Sequence, residues 1–290
     1  MKILFLGQKK EKLIIMDDEK KRTVYKYSLI LLCSLVSALF VIIFFLFWPA
    51  LSGAFLLVKD IWLVVLIGVF RIVSYFIMCL IVFRKWFKQE KIYLSDAYFL
   101  FGIFFLIYTY AKIFDLFWYF AYSSENFNED FLLYILKMRF FVIILNALPL
   151  IFLGLEVILS FIEVYNHKAW SARKKFRYKY YIIVSYFGLV SLLIILAPDR
   201  STLYILLPVI VLGTAIGLVI MFLFMYRNRH LSHVNGLIIG IGFIGVIITS
   251  FIRVIIPLEV LFILLIELLD FAVYTIIFIG FMTKPKYIKH

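Results

Sequence analysis

The chain alternates between long apolar runs and short polar segments along nearly its whole length. Each apolar run has about 20 residues, the length that a helix needs to cross the hydrocarbon core of a bilayer. The runs lie at positions 28–48, 61–83, 93–119, 141–163, 181–197, 203–226, 234–256 and 260–282. The pattern therefore predicts an all-α fold, a polytopic transmembrane helix bundle with eight spans. A re-entrant seventh segment is the alternative, because only a short turn separates it from the eighth.

Composition indicates the same class of protein. Hydrophobic residues make up 66% of the 290 residues, which is more than a water-soluble domain of this size can bury. The two cysteines, Cys33 and Cys79, lie inside apolar runs, so a disulfide framework is excluded. Lipid must solvate this chain, and we expect a multi-pass protein in the plasma membrane of a prokaryote.

The polar segments divide the chain into three parts. We expect a cytoplasmic N-terminal segment at 1–27, the membrane domain at 28–282 and a cytoplasmic tail at 283–290. The stretch KILFLGQKKEKLIIM is compatible with two short strands around a turn or with a segment at the membrane interface. The basic, aromatic-rich segment 166–179 is compatible with an interfacial anchor or with a docking surface for a cytoplasmic protein.

Lysine and arginine are concentrated in every second polar segment, which places both termini in the cytoplasm. The basic segments contain Lys20, Lys21, Arg22, Arg84, Lys85, Arg173, Lys174, Lys175, Arg227 and Arg229. The net charge is +13. Because these cations flank apolar runs, we assign them to topology and to anionic lipid headgroups, and we expect no nucleic-acid partner.

The sequence indicates no catalytic chemistry. All four histidines lie in polar segments, and no metalloprotease, nucleophile-elbow or phosphate-loop motif is present. We therefore expect no metal site and no cofactor, and we do not expect an enzyme.

Four charged residues lie deep inside predicted spans: Arg71, Glu156, Glu267 and Asp270. A charge near the bilayer centre costs at least ~2.5 kcal/mol on insertion scales. Arg71 and Asp270 lie at similar depth, so we expect them to pair. The group either locks helices together or lines a cavity between spans two, four and eight.

A second set of cations lies nearer the predicted outer face: Lys112, Lys137, Arg139 and Arg253. Long cationic side chains at this depth can extend to the headgroups. The alternative is an outward-facing vestibule that binds an anion.

Glycines spaced four residues apart predict close helix packing. Gly213 and Gly217 lie in span six, and Gly236 and Gly240 lie in span seven. We expect these two spans to form the tightest helix pair.

Three functions fit these features. The first is a sensor or receptor-like module without a catalytic domain, which acts through a cytoplasmic or membrane protein partner. The second is a proton- or ion-coupled transporter that uses the intramembrane carboxylates. The third is a membrane subunit or scaffold of a larger complex.

Overall fold

A computed structural model describes residues 2–165, 170–229, 234–255 and 260–285 of the chain. These residues form nine helices and no strand. The helices are α1 (Lys2–Leu51), α2 (Ala54–Leu57), α3 (Ile61–Phe87), α4 (Ala97–Ser123), α5 (Glu129–Tyr165), α6 (Ala172–Leu196), α7 (Arg200–Arg227), α8 (Gly236–Ile255) and α9 (Val260–Met282).

Eight of these helices are long and apolar enough to cross a membrane, and only the short α2 is not. A helix satisfies its backbone hydrogen bonds within itself, which is what a segment in lipid requires. The predicted all-α bundle of eight spans is therefore confirmed. The seventh segment forms a full-length helix, and the turn that follows it, at 256–259, lies outside the described residues. The cytoplasmic location of the termini stays a prediction, as does that of the tail, whose last residues, 286–290, also lie outside the described range.

The two-strand prediction for the N-terminal segment is wrong. Helix α1 begins at Lys2 and continues without interruption to Leu51, so the predicted segment 1–27 and the first span are one helix. The segment is rich in lysine, glutamate and leucine, which are strong helix formers. Strand pairing would leave backbone groups at the edges without partners, whereas the helix satisfies them.

The most extensive interface joins α3 and α4, and α7, α8 and α9 pack against one another in succession. Spans six and seven, which are α7 and α8, therefore do not form the most extensive interface, and their being the tightest pair stays a prediction. Helix α1 lies at the periphery and contacts mainly α4, through Ser37, Cys33 and Phe40 on one side of it. Between Ile30 and Trp48 its other faces are exposed and apolar, as expected for a helix that faces lipid.

The buried apolar side chains form two separate cores, one towards each end of the bundle. Helix α4 contributes to both. Its first half, as far as Tyr108, belongs to one core, and its last turns, from Phe117, belong to the other. Helix α3 does the same, with Ile61 in the second core and Tyr75 in the first. Arg71 of α3 and Lys112 and Asp115 of α4 lie between the two cores.

Close helix packing through glycine involves the glycines of α8, and not Gly213 and Gly217 of α7. A Cβ atom on Gly236 would lie 2.6 Å from the Phe222 carbonyl oxygen of α7, and one on Gly240 would lie 3.1 Å from Leu223 Cδ2. Gly213 and Gly217 have open space around them, so their predicted packing role is wrong. The two α7 glycines lie on an exposed face of their helix, a distinction that spacing alone does not reveal.

Helix α8 also uses two further glycines, on the side that faces α9. A Cβ on Gly245 would lie 2.8 Å from Val273 Cγ2, and Gly242 is in similarly close contact with Ile277. In return, Gly280 of α9 receives the backbone of α8, where a Cβ would lie 2.9 Å from Ile239 N. Helix α8 therefore packs through small residues on two sides, which fixes its position between α7 and α9.

Candidate charged site

Two carboxylates of α9 and two arginines from neighbouring helices meet between the two cores. Glu267 and Asp270 lie three residues apart, so they share one face of α9. Arg71 of α3 forms an ion pair with Glu267 and lies 3.7 Å from Asp270 Oδ2. Arg253, in the last turn of α8, reaches both acids, with N–O distances of 3.1 Å to Glu267 and 2.5 Å to Asp270. We call these four residues the arginine–carboxylate group.

The arginine–carboxylate group explains how α9 accommodates two acids inside an apolar helix. Arg71 is only 1% exposed, and its guanidinium presents several N–H groups in a fixed plane that suits carboxylate oxygens. Each carboxylate has contact with two arginines, so neither acid is left as an isolated charge. The predicted partners Arg71 and Asp270 thus lie close together, although Glu267 is the nearer partner of Arg71.

A second group of charges lies on α4 and α5. Asp115 accepts a hydrogen bond from Lys112 at 2.8 Å, one turn earlier on the same helix. It also accepts one from Arg139 Nε of α5 at 2.5 Å. Lys112 is buried, and its ammonium lies 5.2 Å from the centre of the Tyr108 ring. We call Lys112, Asp115 and Arg139 the Asp115 group.

The two groups form one charged cluster. Lys112 lies close enough to Arg71, Arg253 and Asp270 for their charges to interact, and Asp115 likewise interacts with Arg253. The cluster contains four cations, namely Arg71, Lys112, Arg139 and Arg253, and three carboxylates, namely Asp115, Glu267 and Asp270. With all seven groups ionised, the cluster therefore has one cation in excess.

The charged cluster lies nearer one end of the bundle. Arg71, Lys112, Arg139 and Asp270 are each about ten residues, or ~15 Å, from the helix end on that side. Arg253 is within one turn of the same end. On the predicted topology this end faces the outside, so the cluster would occupy the outer half of the membrane.

Three tyrosines close the other side of the cluster. The rings of Tyr75 and Tyr108 lie 4.8 Å apart, and those of Tyr108 and Tyr274 lie 3.9 Å apart. Arg71 donates to the Tyr75 hydroxyl at 3.4 Å, which links this tyrosine layer to the charges. Phe104 stacks against the layer from the inner core. These tyrosines of α3, α4 and α9 therefore lie between the arginine–carboxylate group and the inner core.

Two of the predicted site residues lie elsewhere. Glu156 forms an ion pair with Lys179 of α6, so it does not join Arg71 and Asp270. Span four contributes Arg139 of α5 to the charged cluster instead. Lys137 donates to the Ile195 carbonyl oxygen at 2.9 Å. It lies outside the charged cluster. Both residues are at helix surfaces that face α6 instead of α3 and α9.

Two other features of the site differ from the sequence-based expectation. Arg253 was grouped with the outer cations, yet it binds the α9 carboxylates, because the last turn of α8 lies directly against the first half of α9. The tyrosine layer was not predicted at all. Its three tyrosines come from three different helices, and the sequence alone gives no signal that unites them.

The fold and the charged cluster define the class as an integral membrane helix bundle with a buried ionic site. Comparisons with protein-family models, with curated proteins and with solved structures found no match to this chain. Among the residues that the structure describes, no group of three or more histidine, cysteine, aspartate or glutamate side chains could hold a metal ion. The chemistry of the site therefore follows from its own geometry.

Proposed function

We propose that this protein is a receptor-like membrane module that binds an anionic group of a ligand at the charged cluster. The observation that carries the proposal is the excess of one cation in the charged cluster, next to the tyrosine layer. A buried charge without a counter-ion is costly in a low-dielectric environment. An anion that enters from the predicted outer side would balance the cluster.

Arg253 is the residue best suited to meet such a ligand. Its side chain is 35% exposed, whereas Arg71 is almost fully buried behind it. It lies in the last turn of α8, close to the membrane surface. A guanidinium can hold a carboxylate or phosphate with two parallel hydrogen bonds while it keeps contact with an acid of the protein.

The contacts of the carboxylates favour binding over proton-coupled transport. A carboxylate that carries protons must be able to take one up, but Glu267 and Asp270 are both paired with arginines, which stay charged. Glu156 is paired with Lys179. The tyrosine layer also separates the cluster from the inner core. These features support a site that is open on one side only.

A response to binding would be passed to a separate protein. Outside the eight candidate spans, the described residues form the start of α1, the short α2 and the connections between helices. Helix ends among these residues, such as the basic start of α6, are the surfaces at which a cytoplasmic partner would bind. A subunit or scaffold role would need no ligand, and this difference makes the proposal testable.

The test is ligand-dependent thermal stability of the protein in detergent. A ligand that binds only the folded state raises the unfolding temperature. We expect inorganic phosphate and acetate to raise Tm above the value in chloride at equal ionic strength. Arg253→Gln should remove this difference, and Lys137→Gln should keep it, because Lys137 is an outer cation outside the cluster. The proposal is overturned if neither anion has a specific effect, or if both variants behave alike.

A further inference from the structure

A separate cavity of about 70 Å³ lies among α5, α6, α7 and α8, with Phe104 of α4 and Tyr274 of α9 also in its lining. Its lining residues include Phe104, Asn146, Tyr186, Thr214, Ala215 and Tyr274, and the others are aliphatic or aromatic. No charged side chain is among them. The cavity therefore has a chemistry quite different from that of the charged cluster.

Three polar side chains interrupt the apolar lining. The hydroxyls of Tyr186 and Thr214 are 2.6 Å apart, and Thr214 also donates to the Ile210 carbonyl oxygen at 2.8 Å. Both hydroxyls therefore have hydrogen-bond partners. Asn146 is different: it is only 7% exposed, and its Oδ1 atom has no hydrogen-bond partner among the described residues.

An amide in this position needs a partner from outside the described residues. Leaving a buried polar group unpaired costs more than a hydrogen bond contributes, so buried amides are nearly always satisfied. Leucine would fill a similar volume without this cost. An asparagine beside a cavity is therefore suited to a molecule that occupies the cavity and donates a hydrogen bond.

We infer that this cavity is a second ligand site, which binds a small uncharged alcohol dissolved in the bilayer. The apolar walls hold the alkyl part, and the Asn146 amide forms a hydrogen bond with the hydroxyl group. The absence of charged lining residues excludes ions from the site, since nothing would compensate an ion there. Because the site shares only Tyr274 with the tyrosine layer, this inference stands independently of ligand binding at the charged cluster.

The experiment is photolabelling of the full chain in lipid nanodiscs with a short diazirine-bearing alkanol. The matched probe is the diazirine alkane of the same length, which lacks the hydroxyl. We expect saturable labelling by the alkanol on the α5 and α7 peptides that contain Asn146 and Thr214. Loss of one neutral hydrogen bond weakens binding by about fivefold, so Asn146→Leu should raise the half-saturating alkanol concentration by that factor and leave alkane labelling unchanged.

Two leucine substitutions on α7 provide the steric control. Ala215 lines the cavity and is buried, whereas Gly217 is exposed with open space around it. Ala215→Leu should abolish labelling of the cavity by both probes, and Gly217→Leu should leave it unchanged. Arg253→Gln should also have no effect, which separates this site from the charged cluster.

Three results would each overturn the inference. If alkanol labelling does not saturate, the cavity holds only water. If alkanol and alkane label with equal affinity, or if Asn146→Leu does not change the alkanol affinity, the amide does not recognise a hydroxyl group.

Discussion

Arg71 is the residue on which the ionic site depends most. It is almost fully buried, and it contacts both acids of α9. Replacing it by methionine would leave Glu267 without its nearest partner and would leave Arg253 as the only arginine for two carboxylates. Arg253 is partly exposed, so water can take over some of its role. Burial, and not the number of contacts, separates these two arginines.

We expect Arg71→Met to lower the stability of the folded protein strongly. Removing one partner of a buried ion pair typically costs ~3–5 kcal/mol in soluble proteins, and smaller values are found in membranes. The measurement is Tm and folded yield on size-exclusion chromatography. Arg200→Met is the control, because its partner Glu129 is 72% exposed and such surface pairs contribute about 1 kcal/mol or less.

A double substitution tests whether the pairing is the cause. In Arg71→Met/Glu267→Gln the unpaired carboxylate is also removed, so part of the lost stability should return. If the double variant is as unstable as the sum of the single variants, the two residues do not interact energetically, and the pairing does not explain how α9 accommodates its acids.

Asp199 gives a pH-dependent test at the predicted outer surface of the protein. The pKa of Asp199 is below its usual value, because its carboxylate accepts the backbone N–H of Thr202 at the start of α7. A lowered pKa in the folded state means that this stabilisation is present above the unfolded pKa of ~4 and is lost as the pH falls through the folded value.

We therefore expect Asp199→Ala to lower Tm at neutral pH, with a difference from the wild type that shrinks in acid. Asp199→Asn keeps an acceptor at this helix end at every pH. The difference in Tm between the wild type and Asp199→Asn should change with pH only in the acidic range. A difference between wild type and Asp199→Ala that stays constant from neutral pH to below the folded pKa would contradict the assignment.

At the scale of helices, α8 is the element whose packing tolerates least change. Its glycines contact both neighbouring helices. Gly213 and Gly217 of α7 have no such contact with the described residues of other helices. We expect Gly236→Leu and Gly245→Leu each to lower Tm in detergent by several degrees, because the new side chains would displace the Phe222 backbone or Val273. Gly213→Leu and Gly217→Leu, the matched substitutions on α7, should change Tm little. Equal losses in the two helices would contradict the packing assignment, because leucine is a better helix former than glycine and propensity alone would not lower Tm.

The same helices show where prediction from sequence ends. Length and hydropathy were enough to give the eight apolar helices, because lipid allows a crossing segment few other structures. Glycine spacing shows that two glycines share a helix face, but it does not show which helix packs against that face. Gly236 does pack against α7, whereas Gly217 does not pack against α8. Which side of a helix faces protein depends on contacts between residues far apart in the sequence.

The charged residues show the same limit. Depth along a helix can be counted from its ends, and this was sufficient to bring Arg71 and Asp270 together. Rotation about the helix axis cannot be counted in this way. Arg253 lies near a helix end but extends inward to α9. Glu156 lies nearer the end of α5 that is opposite to the charged cluster, and it pairs with α6 there.

At the scale of the whole molecule, the charged cluster lies between two apolar cores. Helices α3 and α4 contribute to both cores and also provide Arg71, Lys112 and Asp115 at the boundary. Ion pairs at this boundary connect α3, α8 and α9 in the arginine–carboxylate group, and α4 and α5 in the Asp115 group. A ligand that changes the charge balance there would act on five helices at once, and this is how binding could reach the opposite end of the bundle.

The orientation of the bundle decides from which side a ligand reaches the cluster. In a cysteine-free background, with Cys33 and Cys79 replaced, single cysteines at exposed positions can be labelled with a membrane-impermeant maleimide in intact cells. Cysteines at Asn126 and Asp199 should react from outside, and those at Lys88 and Lys174 should react only after the membrane is opened. All four positions are exposed in the structure. The basic segments flank the second pair, which is the physical reason for this expectation.

The opposite labelling pattern would place the Arg253 end of the bundle in the cytoplasm. The ion pairs and the aromatic layer would be unchanged, since they do not depend on orientation, but the cluster would then be open to cytoplasmic anions. The proposed receptor for an external ligand would be wrong, while binding of phosphate or acetate by purified protein would still occur. Labelling in cells and Tm in detergent therefore test two separate parts of the proposal, the side of entry and the chemistry of the site.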